Sequence, residues 1–128
     1  MGEAIYMAIY ESTIIIRQDV SSNEIDKIAA DLQNIITENG GKIIKTEYWG
    51  LRNLAYEIKN NKKGHYYFMG IEAGNKALDI MDRKIKLSES IIRSFLIKVD
   101  AISQEPSPVL KTRGSDTQSS IDVTSDKN

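Results

Sequence analysis

The sequence predicts an α+β domain of the split βαβ kind (βαββαβ): a four-stranded antiparallel sheet with two helices on one face. Two observations carry this. Apolar residues recur at helical spacing in two separate stretches, 25–36 and 78–85. Around and between them lie runs rich in β-branched and aromatic residues, so the order reads strand, helix, strand, strand, helix, strand. Right-handed crossovers then put both helices on the same side and the third strand between the first and second. One face of the sheet is left uncovered, and that face is where function is expected.

Residues 7–16 are mostly apolar and β-branched, with Tyr10 and Glu11 interrupting, as a central strand is. Ser21 and Glu24 stand three apart as a capping box, in which hydroxyl and carboxylate each serve a free backbone N–H. Ile25, Ile28, Ala29, Leu32, Ile35 and Ile36 follow on one helical face, and Asn39-Gly40-Gly41 ends the helix with a left-handed residue. Residues 42–59 make one bent strand or two segments, with Gly50 as the bend. Residues 60–64 read as a turn, and 65–73 resume β character, closing a hairpin. Asn75 is the expected cap of a second helix carrying Leu78, Met81 and Ile85. A last strand spans 91–99.

From Ala101 the composition turns to Ser, Thr, Asp and Gln, with Pro106 and Pro108. Three segments are thus expected: an extension over 1–6, a folded domain over 7–100, and a disordered polar tail over 101–128.

Composition removes several function classes. The chain has no cysteine and one histidine, His65, so disulfides, thiolate chemistry and cysteine- or histidine-rich metal sites are excluded. No cofactor, metal or small-molecule substrate is expected. No apolar run approaches the roughly 20 residues of a membrane span, and a cytoplasmic location is expected. His65 reads as a solvent-facing strand residue with nothing nearby in sequence to orient it as a base. Net charge is −1, so contact with nucleic acid depends on local charge.

That local charge is present. Between Lys42 and Lys63 six cations (Lys42, Lys45, Arg52, Lys59, Lys62, Lys63) face two anions (Glu47, Glu57), a net +4. Flexible lysines near a hairpin end reach phosphates without reading sequence, and the planar guanidinium of Arg52 adds a fork for phosphate or a stacking surface. Arg93 interrupts the apolar last strand and needs solvent, a carboxylate or a ligand. Aromatic and aliphatic side chains accompany the cations: Tyr48, Trp49, Leu54 and Tyr56 on one strand, Tyr66, Tyr67 and Phe68 on its partner.

Taken together, Tyr10-Glu11, Gly40-Gly41, Trp49-Gly50-x-Arg52-x-Leu54-Ala55-Tyr56-x-Ile58, Lys59 with Gly64-x-Tyr66, and Glu89-x-x-Ile92-Arg93 resemble one family. It is the sixth protein of the bacterial small ribosomal subunit, and the match covers residues 7–100. The resemblance implies a ferredoxin-like fold and a structural, non-enzymatic role on the ribosome. It implies binding to the central domain of small-subunit ribosomal RNA together with small-subunit ribosomal protein eighteen. Arg52, Lys59 and Arg93 stand at motif positions where the family places cations near RNA or the partner, and Lys62 and Lys63 extend that RNA-binding set. Trp49, Leu54 and Tyr56 take the packing positions assigned to the partner protein, with core and interface not separated among them.

The chain departs from the family at Ala8, where a basic residue is usual, and at Gln18 and Glu57, where proline is frequent. The rival reading is a free-standing ferredoxin-like module that binds a regulatory ligand.

Overall fold

The computed structural model describes residues 6–111. Strand β1 (Ala8–Arg17) is followed by α1 (Ser22–Glu38), β2 (Lys42–Ile58), β3 (Asn61–Ala73), α2 (Asn75–Leu87), β4 (Ile91–Val99) and a single turn of helix, α3 (Pro108–Lys111). The four strands form one sheet in the order β2-β3-β1-β4, antiparallel at every pairing. This is the expected split βαβ arrangement.

The two helices cover one face. Alternation along β1 sends Ile14 and Ile16 toward them, and Met69 and Ile71 of β3 join from the neighbouring strand. These pack against Ile25, Leu32 and Ile36 of α1 and Met81 of α2 in a core from which solvent is almost absent.

Local signals set the element ends. The Ser21 hydroxyl accepts from the Glu24 amide at 3.2 Å. Gly40 takes the left-handed φ of +87° after α1. At Gly41 a Cβ would lie 2.6 Å from the Glu72 carbonyl oxygen and 2.8 Å from Ile36 Cγ2, so the helix exit is closed to any side chain. Asn75 is not the cap of α2. Gly74, in extended conformation, fills that position without a side-chain hydrogen bond, and Asn75 is the first helical residue.

The hairpin differs from expectation. Its turn is only Lys59-Asn60, both at positive φ (48° and 67°), and β3 begins at Asn61. Two left-handed residues form the tight turn whose twist matches a hairpin, so the strands pair further out than a polar Asn-Lys-Gly run suggests. Asn61 is buried for a reason invisible in sequence. Its Oδ1 accepts from the Gln18 amide (3.0 Å) and its Nδ2 donates to the Lys59 and Ile58 carbonyls (3.0 and 3.3 Å). Gln18 thus uses an N–H that a proline at this position would lack.

β2 is a single strand with register shifts, one of them between Tyr48 and Gly50. Gly50 sits there at φ +98°, as expected of the bend. A larger shift lies between Asn53 and Ile58, where residues 54–57 face Lys62 alone across the hairpin.

Directly after β4 the described chain stays on the domain. Residues 101–111, counted in the polar tail by composition, return across the helix-free face of the sheet. The remainder of that tail, 112–128, and residues 1–5 of the expected extension lie outside the described residues.

Candidate functional site

Register fixes which side chains share the helix-free face. Pairing of Glu11 with Gly70, Thr13 with Phe68 and Ile15 with Tyr66 puts the odd positions of β1 and the even positions of β3 there. Arg93 enters by pairing with Ile15 on the other side of β1. From β2, Lys45 pairs with Gly70, Glu47 with Phe68 and Arg52 with Gly64. Trp49 belongs to the same surface, since its ring stacks on Phe68 with centroids 5.3 Å apart and planes 9° from parallel.

Two pieces of chain cover part of this face. At the hairpin end, Leu54 and Ile58 fold inward beside Trp49 onto Ile15, Tyr66 and Ile92, a second small apolar cluster. Gly64 makes room for it, because a Cβ there would lie 2.4 Å from Ile15 Cγ2. The second cover is the segment 102–109. Ile102 fills the space over Gly70. Lys45 Nζ donates to the carbonyls of Ser103 (2.7 Å) and Glu105 (2.6 Å). Glu47 accepts from the Ser107 amide (3.1 Å), the Ser107 hydroxyl and Trp49 Nε1 (2.9 Å), with Lys45 Nζ 3.5 Å away.

The predicted partner-protein positions therefore separate. Trp49 and Leu54 are half-buried in packing within the chain, whereas Tyr56 is 61% exposed. The guanidinium of Arg93 lies 5.7 Å from the centre of the Tyr56 ring, a cation–π contact that joins β4 to the hairpin bulge.

The basic window divides likewise. Lys42 stands 3.8 Å from Glu72. Lys45 is held as described. Arg52 donates from Nε to the Trp49 carbonyl (2.9 Å) and from Nη2 to the Val109 carbonyl (3.4 Å). Lys59, Lys62 and Lys63 are exposed at the hairpin end. Among the described residues, no carboxylate lies within ion-pairing distance of these three.

His65 is not simply solvent-facing. Tyr48 Oη stands 2.8 Å from its Nδ1 and the Gln18 carbonyl 3.2 Å from its Nε2, so it bridges the hairpin to the end of β1. With Nε2–H donating to the carbonyl, Nδ1 accepts from the phenol. Lys45, Glu47, Phe68, Gly70 and Ser107 were missed as a group. The signal available was the pair of apolar residues, Ile102 and Val109, flanking Pro-Ser-Pro in an otherwise polar segment.

Glu47 gives this contact a pH dependence. Burial raises its carboxyl, but hydrogen bonds from Ser107 and Trp49, with Lys45 alongside, outweigh burial and hold it below the ordinary 4.5. A depressed folded-state value stabilises the contact above 4.5, and that contribution is lost as pH falls through the lower folded value. Fluorescence of Trp49, the only tryptophan, should therefore be flat from neutral pH to about the ordinary glutamate range and change below it. Glu47→Gln should remove that acid transition; a transition unchanged in Glu47→Gln would assign it elsewhere.

Among the described residues no three carboxylates or histidines group as a metal site. One sheet backed by two helices, with cations and aromatic rings on its other side, defines a binding protein of the ferredoxin-like class. The family model described as Ribosomal protein S6 matches residues 9–98, and the chain belongs to that family. It is 58% identical to Small ribosomal subunit protein bS6 of Rickettsia prowazekii (strain Madrid E) over 92% of this chain and 98% of the relative. Identity to the protein of the same name from Rickettsia bellii (strain RML369-C) is 53% over the same shares. A crystal structure of 30S ribosomal protein S6 from Thermotoga maritima superposes with a TM-score of 0.69 at 30% identity, covering 73% of this chain and 89% of that one. The chain is accordingly a structural, non-enzymatic protein of the small ribosomal subunit, located with the ribosome in the cytoplasm.

Proposed function

We propose that this chain binds the central domain of small-subunit ribosomal RNA jointly with small-subunit ribosomal protein eighteen. The observation that carries the reading is the cluster Lys59, Lys62 and Lys63, exposed at the hairpin end with no carboxylate in reach among the described residues. Ammonium groups so placed neutralise phosphates and release counterions while carrying no sequence preference. Arg93 and Tyr56 offer a cation and an exposed ring on the neighbouring surface. Arg52 contributes less directly, since its donors already serve two backbone carbonyls.

Residues 1–100 carry fourteen cations and fourteen anions, so steering toward RNA is local and binding alone is weak. A partner bringing its own cations supplies the remainder. Titrating a central-domain RNA fragment with the chain alone and with protein eighteen should show tighter binding in the pair by about 5- to 150-fold, the usual span of coupling between two ligands. Equal affinity with and without the partner would remove the joint reading.

A further inference from the structure

We propose that Asn39, at the exit of α1, is a site of spontaneous deamidation whose rate is set by local opening of the last turn of that helix. This chemistry belongs to the chain itself and needs neither RNA nor a partner.

Residue type selects the position. Of eight asparagines, only Asn39 precedes a glycine. The Gly40 amide nitrogen is therefore unshielded by any Cβ of its own residue and can attack the Asn39 side-chain carbonyl carbon. A C–N bond forms, the Cγ–Nδ2 bond breaks, and the Gly40 N–H proton leaves with Nδ2 as ammonia. Water then opens the cyclic imide at either carbonyl, giving aspartate or isoaspartate. No oxidant, metal or cofactor enters.

The folded geometry holds each participant out of line. Asn39 Nδ2, the leaving group, donates to the Ile35 carbonyl at 2.8 Å. The Gly40 N–H, the nucleophile, donates to the Thr37 carbonyl at 3.3 Å, and the Asn39 N–H to the Ile36 carbonyl at 3.3 Å. Asn39 has ψ of 28°, whereas ring closure needs a negative ψ that turns the Gly40 nitrogen onto Cγ. These restraints are local and weak. Both backbone bonds lie beyond the usual 2.7–3.2 Å range. Gly40 is exposed, and no heavy atom stands within 4 Å of the position its Cβ would take. Ile36 and Gly41, by contrast, are packed together, and the Gly41 N–H reaches the Ile36 carbonyl at 2.8 Å. Residues 37–40 can thus fray while their flanks stay in place, at far lower cost than opening the domain.

Conversion is not silent. Aspartate at position 39 loses the donor to the Ile35 carbonyl and sets a new negative charge at the carbonyl end of α1, beside Glu38. The last turn of α1 carries no basic residue to offset it. Isoaspartate also adds a carbon to the backbone just before Gly41, which is closed in by the Glu72 carbonyl oxygen and Ile36 and has no room to absorb it. Lys42 pairs with Glu72 at this end of the sheet, and Asn53 with Lys63 toward the other. The damage therefore falls on the joint between α1 and β2 and spares the lysine-bearing hairpin end.

The full-length chain, held at mildly alkaline pH and then digested, reports the site by mass spectrometry, with isoaspartate confirmed by an isoaspartyl methyltransferase. Asn39 should convert before any other asparagine, and about tenfold or more faster in urea than in buffer. First conversion elsewhere overturns the site, and equal rates in urea and buffer overturn protection by the fold. Ile36→Val and Ile85→Val distinguish local from global opening, since each trims one methyl group from the core, in α1 and α2 respectively. Ile36→Val should speed conversion in buffer by about 2- to 10-fold, and Ile85→Val should leave it unchanged. Equal acceleration by both overturns local opening as the gate. Asn39→Asp reproduces one product and should lower the unfolding midpoint by about 4–8 °C, the shift expected for the loss of one hydrogen bond. An unchanged midpoint overturns the restraining role of the bond to Ile35.

Discussion

Ile71→Ala is expected to lower the free energy of unfolding by about 2–5 kcal/mol. Ile71 is fully shielded from solvent on β3, where it pairs with Tyr10 on one side and Ile43 on the other. Truncation removes the transfer energy of three carbons and leaves a hole that a sheet bonded on both edges and capped by two helices closes poorly. Total stability of a domain this size is about 5–15 kcal/mol, so one substitution takes a large share of it. Each kcal/mol moves the midpoint by about 4–8 °C, and a loss near 3 should appear as a drop of about 12–24 °C. Ile97→Ala provides the contrast. That residue is 57% exposed on edge strand β4, and its loss should stay within about 0.5 kcal/mol. Urea titrations of the two variants measure both numbers, and similar costs would mean that the helix-covered face is not the main core.

The second large effect is on RNA. Replacing Lys59, Lys62 and Lys63 together with alanine should lower the slope of log K against log salt by about three, near one for each phosphate deprived of its ammonium partner. Affinity should fall most at low salt and converge with the unmodified chain as salt rises. Folding should be nearly untouched, because all three side chains are exposed and none forms an ion pair among the described residues. Lys86→Ala is the matched control: a cation removed from the helix side, where it pairs with Asp82 at 3.0 Å. A slope that moves equally for the control and the triple variant would place the RNA contact away from the hairpin.

Much of the site was legible because it rests on residue type. Trp49, Gly50 and Arg52 stood out as a bulged, amphipathic strand, and Gly50 does adopt the positive φ that only glycine takes freely. The lysines at the hairpin end were identifiable from charge alone. Less legible was the turn itself. Lys59 and Asn60 form it with left-handed backbones, whereas Asn-Asn-Lys-Lys-Gly drew attention one residue too far along. Polarity marks a loop, but the type of turn depends on strand twist and on the buried amide of Asn61, which ties the turn to Gln18. Asn75 was misread similarly: a good capping side chain stood next to a glycine whose extended backbone took the position.

Element order, the helix-facing stripe and the excess of cations on β2 and its turn are all written in local pattern, since periodicity and charge are local properties. Which of those cations are free depends on the folded chain. Lys45 and Arg52 meet carbonyls 57–60 residues away, and Glu47 meets Ser107 at the same separation. Such pairings exist only once four strands have brought β2 beneath the returning chain, because hydrogen bonds of about 3 Å depend on position in space and not on neighbourhood along the backbone.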